Sequence, residues 1–183
     1  MNKKNVILYI AALIACFLLG ASGALVLRMI DARAITPLSG GQKMDFPEFG
    51  FTLSVPQDFR LFDHTEENYA SGGNALYAAA LAGNEDILYL FCYENETGDR
   101  LADHSEQNVV SHYIRAGASD VLMRSFGGRR FICYLANVEG EHGVETWYSC
   151  ETWDETLQIV FETDMPPERA LPILATLSFT DAQ

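Results

Sequence analysis

An apolar run from Val6 to Leu27 constrains this 183-residue chain more than any other feature of its sequence. Lys3 and Lys4 precede the run, and Arg28 follows it. A helix needs about 20 apolar residues to cross roughly 30 Å of hydrocarbon, and it satisfies its own backbone polar groups. The sequence therefore predicts a transmembrane signal anchor over residues 1–30.

Two other interpretations of this segment stay open. A cleaved secretory signal has a shorter apolar region that ends at small residues, which Ala21–Ala24 supplies, although the apolar run continues through them. The tetrad Leu13–Cys16 resembles a bacterial lipoprotein cleavage box, but Phe17–Leu19 follows where a polar stretch is expected. The length of the run favours the uncleaved anchor.

The basic residues around the run predict its orientation. Lys3, Lys4 and the terminal amine lie on the short side, against Arg28 and Arg33 on the other. Basic residues resist translocation, so we expect a single-pass membrane protein with a cytoplasmic amino terminus and an extracytoplasmic carboxyl-terminal domain. The membrane is then a partner of the chain through its amino-terminal helix.

The charge balance excludes one class of function. The chain has 12 basic and 25 acidic residues and a formal net charge of −13. A field of that sign repels nucleic acid and anionic lipid head groups, so we expect no nucleic-acid binding. Residues 31–47, with Pro37 and Gly40-Gly41, are predicted as a linker. Residues 48–180 are predicted as a single globular domain.

Alternation of apolar and polar residues predicts mostly strands. Phe51 to Val55 alternates with period two and ends at Pro56. Ile87 to Tyr93 is apolar on both faces and is expected to need cover on both sides. Gly127-Gly128 predicts a tight hairpin between two strands. The strands of the resulting meander are Val121–Phe126, Arg129–Val138, Gly143–Thr152 and Thr156–Thr163.

Two segments have helical spacing instead. Asp103 to Ala116 is predicted as a helix with Asp103 as its cap and Gly117 as its stop. Its expected apolar stripe is Val109, Val110, Tyr113 and Ile114. Pro166 to Leu177 is predicted as a second helix, with Pro172 inside it. His64 to Ala70 is expected to form a short helical turn.

These elements predict an α+β domain: an antiparallel sheet of about seven strands flanked by two helices, an α/β/α sandwich. The chain resembles the PsbP-like family of exported sandwich domains. The resemblance rests on the strand Phe51–Pro56, on the strand Ile87–Tyr93 before an amphipathic helix, and on the closing segment Leu174–Phe179. It implies a non-enzymatic accessory or binding module anchored at an extracytoplasmic face, and it transfers no site residue.

Few residues of the sequence are candidates for catalysis or metal binding. His104 and His112 would lie about 80° apart on a helix, so we expect no shared metal face. Four residues at a predicted turn form either a divalent-cation site or a solvated hairpin tip. They are Glu139, Glu141, His142 and Glu145. The sequence assigns no catalytic residue, metal ligand or cofactor, and the cofactor-binding residues stay unknown.

Aromatic residues, cysteines and one tripeptide complete the candidates. An aromatic set either lines a ligand surface or packs in the core or on a sheet face; its members are Tyr89, Tyr93, Trp147, Tyr148 and Trp153. Buried free thiols are expected at Cys92, Cys133 and Cys150. A disulfide between Cys133 and Cys150 is the alternative if a six-residue loop places them opposite each other. Asn95–Thr97 fits a glycosylation acceptor.

We therefore expect a non-enzymatic, membrane-anchored extracytoplasmic binding or accessory domain that contacts an envelope protein or a small ligand. One alternative is a small metal-assisted hydrolase built on the acidic loops with His142 or His64. Another is a structural envelope subunit without a ligand.

Overall fold

The computed structural model describes residues 35–140 and 143–180. The predicted anchor over residues 1–30, its alternative cleavage sites and the first part of the predicted linker lie outside the described residues. Within the described ranges, no helix is long and apolar enough to cross a membrane. From Thr36 onward the chain forms one compact unit.

The described residues form strands and three α-helices. The strands are β1 (Gln42–Phe46), β2 (Phe51–Val55), β3 (Arg60–Asp63), β4 (Tyr77–Ala82), β5 (Ile87–Glu94), β6 (Ser119–Phe126), β7 (Arg129–Gly140), β8 (Gly143–Trp153), β9 (Leu157–Thr163) and β10 (Ser178–Phe179). The helices are α1 (Thr65–Ala70), α2 (Glu106–Arg115) and α3 (Pro167–Leu174). Short 3-10 turns occupy Pro47–Phe49 and Leu101–Asp103.

Seven strands form one antiparallel sheet in the order β3-β4-β5-β9-β8-β7-β6. The predicted meander from β6 to β9 is confirmed, and β9 pairs on its other side with β5. Gly127 and Gly128 both have positive φ, +55° and +83°, which suits the predicted two-residue turn. Gly127 has no room for a side chain, because an added Cβ would lie 2.7 Å from the Leu177 carbonyl oxygen.

A second sheet, β1-β2-β10, corrects the prediction of a single sheet. Phe51–Val55 was predicted to open the main sheet, but it is the central strand of this smaller one. Its neighbour β1 lies within residues 31–47, which were predicted as a linker, so the folded domain begins earlier than residue 48. Its other neighbour, β10, was expected to belong to the end of the last helix.

The register divides the large sheet into two faces, because cross-strand partners point to the same side. One face, called the core face, packs against the small sheet: the rings of Phe51 and Phe161 lie 6.1 Å apart. Helix α3 contacts β2 and buries Ile173 and Leu174 in the same layer. The core face of β5 is fully buried, through Leu88, Leu90 and Cys92.

The other face of the large sheet, called the open face, is covered only in part. Helix α2 contacts β6, and its Val109 packs with Ile132 in a buried cluster. Helix α1 contacts β4 near the opposite edge. The expectation that both faces of β5 are covered is therefore met fully on the core face and partly on the open face. In the described part of the chain three helices flank the sheets: the two predicted ones and α1, where a short helical turn was predicted.

The helix limits differ from the predictions at several positions. The hydroxyl of Ser105 accepts a hydrogen bond from the Asn108 N–H at 3.3 Å, so Ser105 rather than Asp103 caps α2. Gly117, with φ +97°, follows the end of α2 as predicted. Ile114 is 56% exposed and does not belong to the apolar stripe. Helix α3 runs only from Pro167 to Leu174, with Pro172 inside it as predicted.

A disulfide joins Cys133 and Cys150, so the expectation of free thiols at these two positions is wrong. The two residues are direct cross-strand partners, with Cα atoms 4.1 Å apart. The register is the alternative one, in which Val138 opposes Glu145. Cys92 is a buried free thiol, and burial raises its pKa to about 12.

Candidate functional site

A cavity of about 600 Å³, called the α2 cavity, opens between α2 and the loop that follows β5. Its α2 wall consists of Asn108, Val109, His112, Tyr113 and Arg115. The loop wall consists of Asn95, Thr97, Asp99 and His104. Trp153 and Gln158 of the large sheet complete the lining.

Asn95 holds the loop wall in place. Its amide group donates to the backbone oxygens of Asp99 and Asp154, at 2.8 and 2.5 Å. Its side-chain oxygen accepts from the Thr97 N–H and hydroxyl. The structure therefore uses the amide nitrogen of the predicted glycosylation acceptor within the fold.

His104 and His112 line the same cavity, although they do not lie on one helix as predicted. That expectation placed both on one helix, but His104 precedes α2 and its Ser105 cap. A ring nitrogen of His104 lies 2.6 Å from Asp99 Oδ2. Hydrogen bonds from Thr97 and then from His104 lower the pKa of the Asp99 carboxyl. No group of three or more potential metal-ligating side chains occurs in the described part of the chain.

Beside the cavity, the buried carboxylate of Glu151 connects the open face to α2. The hydroxyls of Tyr113 and Tyr134 donate to its Oε1 at 2.7 and 3.0 Å, and the Gln158 amide donates to its Oε2 at 2.7 Å. Burial, and then the nearby Glu151 charge, raise the pKa of both tyrosines. Both hydroxyls therefore stay protonated at neutral pH, and Glu151 fixes the orientations of Tyr113 and Gln158 at the cavity. Glu151 is not among the candidates predicted from the sequence.

The predicted aromatic set divides among three places. Tyr148 is buried on the core face, and Trp153 lines the α2 cavity. Tyr89 and Tyr93 lie on the open face between α1 and α2. Together with two further rings on that face they form what we call the aromatic row: Tyr89, Phe91, Tyr93 and Trp147.

The rings of the aromatic row stack in sequence and are half-buried. Tyr89 lies 5.5 Å from Trp147 and 6.3 Å from Phe91, and Phe91 lies 6.2 Å from Tyr93. Three members of the predicted aromatic set, Tyr89, Tyr93 and Trp147, therefore pack with Phe91 on one face of the sheet. The interpretation of this surface as a ligand site stays a prediction.

Glu162 on β9 is the direct cross-strand partner of Tyr89 and lies on the same face as the aromatic row. Burial, and then the charge of Glu151, raise the pKa of its carboxyl. Among the residues that the structure describes, no hydrogen bond or ion pair reaches this carboxylate. Among the described residues Glu162 is therefore an acidic group without a compensating partner, next to the Tyr89 end of the aromatic row.

Glu162→Gln is expected to stabilise the fold at neutral pH. Because folding raises the pKa of Glu162, the folded state binds a proton at this carboxyl more tightly than the unfolded chain does. The resulting stabilisation is complete below the pKa that Glu162 has in the unfolded chain, and it is lost as the pH rises through the pKa that Glu162 has in the folded state. The midpoint of urea unfolding of Glu162→Gln should therefore exceed that of the wild type at pH 7.5, and the gap should narrow towards pH 4. Glu66→Gln, on an exposed part of α1, is the control. A gap that widens on acidification would contradict the argument.

Two other predicted candidates, Glu145 and His64, do not line the α2 cavity. Glu145 accepts a hydrogen bond from the Trp147 indole N–H at 3.2 Å. The side chains of Glu139, Glu141 and His142 lie outside the described residues, so the cation-site interpretation of this turn stays a prediction. His64 lies 3.9 Å from Glu67 and lines a smaller cavity of about 310 Å³ beside α1.

The comparison with solved structures supports a PsbP-like fold. The PsbP protein (CyanoP) of Synechocystis sp. PCC 6803 matches with a TM-score of 0.52 and 12% identity, over 81% of this chain and 97% of that one. A protein from Bacteroides thetaiotaomicron VPI-5482 matches with a TM-score of 0.50 and 10% identity, over 78% of this chain. The match spans about half of that protein, 49%. No protein-family profile and no curated protein matches the chain.

The described domain is thus an α+β protein with a PsbP-like fold. At identities of 10 and 12%, the likeness concerns the fold alone.

Proposed function

We propose that the chain is a non-enzymatic, membrane-tethered extracytoplasmic module that binds a small ligand in the α2 cavity. The observation that carries the proposal is the cavity itself, which combines about 600 Å³ of space with an aromatic side chain, Trp153, and several hydrogen-bonding groups. Small-molecule sites are commonly concave spaces of about 300–1,000 Å³ with an apolar surface and a few placed polar groups.

Several cavity side chains are held in position before any ligand arrives. Glu151 orients Tyr113 and Gln158, and Asp99 orients His104. Asn95 holds the loop that carries Asp99. Groups that are already ordered lose little conformational entropy on binding, which favours affinity.

The lining predicts the chemistry of the ligand. Trp153 and Tyr113 offer flat apolar surface. His112 and Arg115 supply donors on the α2 wall, while the Asp99 carboxylate is already engaged by Thr97 and His104. An aromatic carboxylate, with its ring against Trp153 and its anionic group towards His112 and Arg115, complements this arrangement.

The tether is the second part of the proposal. The apolar run Val6–Leu27 and the basic residues around it support an amino-terminal span with the domain outside. Protease added to intact cells should then digest the domain. Protection of the carboxyl end, or recovery of the native product as a soluble protein that begins at or beyond Ala24, would contradict the tether.

The two tryptophans of the chain allow a direct test of binding. In Trp147→Phe, Trp153 is the only tryptophan and reports on the α2 cavity. Titration of this full-length variant in a maltoside detergent with benzoate and phenylacetate should change its fluorescence in a saturable manner.

A second substitution pair makes the test specific for the cavity. Adding His112→Ala and Arg115→Ala should weaken the apparent affinity about tenfold or more. Adding His64→Ala, which changes a histidine outside the cavity, should leave it unchanged. A non-saturable response, or equal affinity in both backgrounds, would overturn the proposed ligand site.

A further inference from the structure

The open face carries a second surface that the α2 cavity does not include. The aromatic row and Glu162 occupy the strip between α1 and α2, on β5, β8 and β9. Tyr89 and Trp147 come from the strands on either side of β9, and their rings stack at 5.5 Å. Glu162, on β9 itself, therefore lies between the two strands that supply these rings.

The chemistry of this strip is one-sided. An aromatic ring carries negative electrostatic potential over its faces, and the partly buried Glu162 adds a full negative charge. Within the described ranges, the Glu162 carboxylate has no cationic or hydrogen-bonding partner. The charge that raises its pKa is that of another acid, Glu151. Burial of an acid without a partner is unfavourable, so a cation at this place would relieve the cost.

We propose that the aromatic row and Glu162 form a binding site for a small organic ammonium cation. Aromatic faces attract such cations within about 6 Å of a ring centroid, and alkyl groups on the nitrogen bury apolar ring surface at the same time. The charge complementarity favours this occupant over an anion, which Glu162 and Glu151 would repel. The raised pKa of Glu162 agrees with a carboxylate that lacks a counter-ion.

The test uses the other tryptophan. In full-length Trp153→Phe, Trp147 is the only tryptophan and belongs to the aromatic row. Titration with choline chloride in a maltoside detergent, at ionic strength held constant with sodium chloride, should produce a saturable fluorescence change. The uncharged isostere 3,3-dimethylbutan-1-ol should bind at least tenfold more weakly.

Substitutions then test whether Glu162 supplies the negative charge that binds choline. Adding Glu162→Gln should weaken choline binding about tenfold, while adding Glu66→Gln, at an exposed site on α1, should leave it unchanged. Equal affinity for choline and its uncharged isostere, no saturable response, or unchanged affinity in Glu162→Gln would overturn the proposal. The comparison with the isostere needs no charge substitution, so it is decisive whatever the variants do to folding. Trp153 is absent from this variant, so its fluorescence reports on the aromatic row and not on the α2 cavity. A negative result with choline therefore does not bear on ligand binding in the α2 cavity.

Discussion

Glu151→Ala should destabilise the domain by about 3–5 kcal/mol. The substitution removes the acceptor of three hydrogen bonds at once, from Tyr113, Tyr134 and Gln158. The donors stay behind, and burial keeps water from replacing the carboxylate fully. Urea unfolding at pH 7 measures the loss.

Two controls separate the hydrogen bonds of Glu151 from its charge. Glu151→Gln keeps a carbonyl acceptor for the tyrosines and should cost only about 1 kcal/mol. Glu155→Ala, at an exposed position, should change stability by less than about 0.5 kcal/mol. If Glu151→Ala matched the wild type, or if Glu151→Gln were as unstable as Glu151→Ala, the network would not have the role described.

Removal of the Cys133–Cys150 disulfide is expected to cost about 3 kcal/mol. The bridge closes a loop between residues separated by 17 positions, which restricts the conformations of the unfolded chain. Removing the bridge raises the conformational entropy of the unfolded chain and so favours unfolding. The double variant Cys133→Ala/Cys150→Ala should unfold at a lower urea concentration than the wild type. Reductant should lower the wild-type midpoint towards that of the variant and leave the variant unchanged.

Peptide mass spectrometry provides an independent check of this bond. Under denaturing conditions without reductant, an alkylating reagent should label Cys92 but neither Cys133 nor Cys150. Labelling of all three before reduction would show that the bond is absent. The free-thiol expectation would then be restored.

Local patterns predicted the part of the fold that depends on neighbouring residues. The meander follows from alternating apolar positions, and its first turn follows from Gly127-Gly128. Strand β4 was not located from the sequence, because four of its six residues are alanine, which has little strand preference. Strand β3 has only exposed residues and therefore no buried face to reveal it.

The division into two sheets depends on contacts that are distant in sequence. The Ser54 N–H donates to the Thr176 hydroxyl across 122 positions, next to the pairing of β2 with β10. No local pattern around Phe51–Val55 distinguishes a strand of the small sheet from a strand of the large one. The same limit applies to Cys133 and Cys150, whose pairing depends on hairpin register.

The candidate sites were predictable only in part. Alternation alone places Tyr89 and Tyr93 on one face of a strand, and Trp147 and Tyr148 on opposite faces, as the structure shows. No sequence pattern distinguishes Glu151 from the other acidic residues of the chain, because its role depends on its burial in the folded domain. The helix starts at Glu106 and not at Asp103 as predicted, so His104 lies before the helix and lines the cavity from there.

An amide chemical-shift map of the full-length chain in maltoside detergent, recorded with and without benzoate, shows directly whether a ligand binds in the α2 cavity. We expect saturable shifts concentrated at Asn108, His112 and the indole N–H of Trp153, with little change at Trp147. Unmoved signals at these three positions, or shifts centred instead on α1, would contradict ligand binding in the α2 cavity.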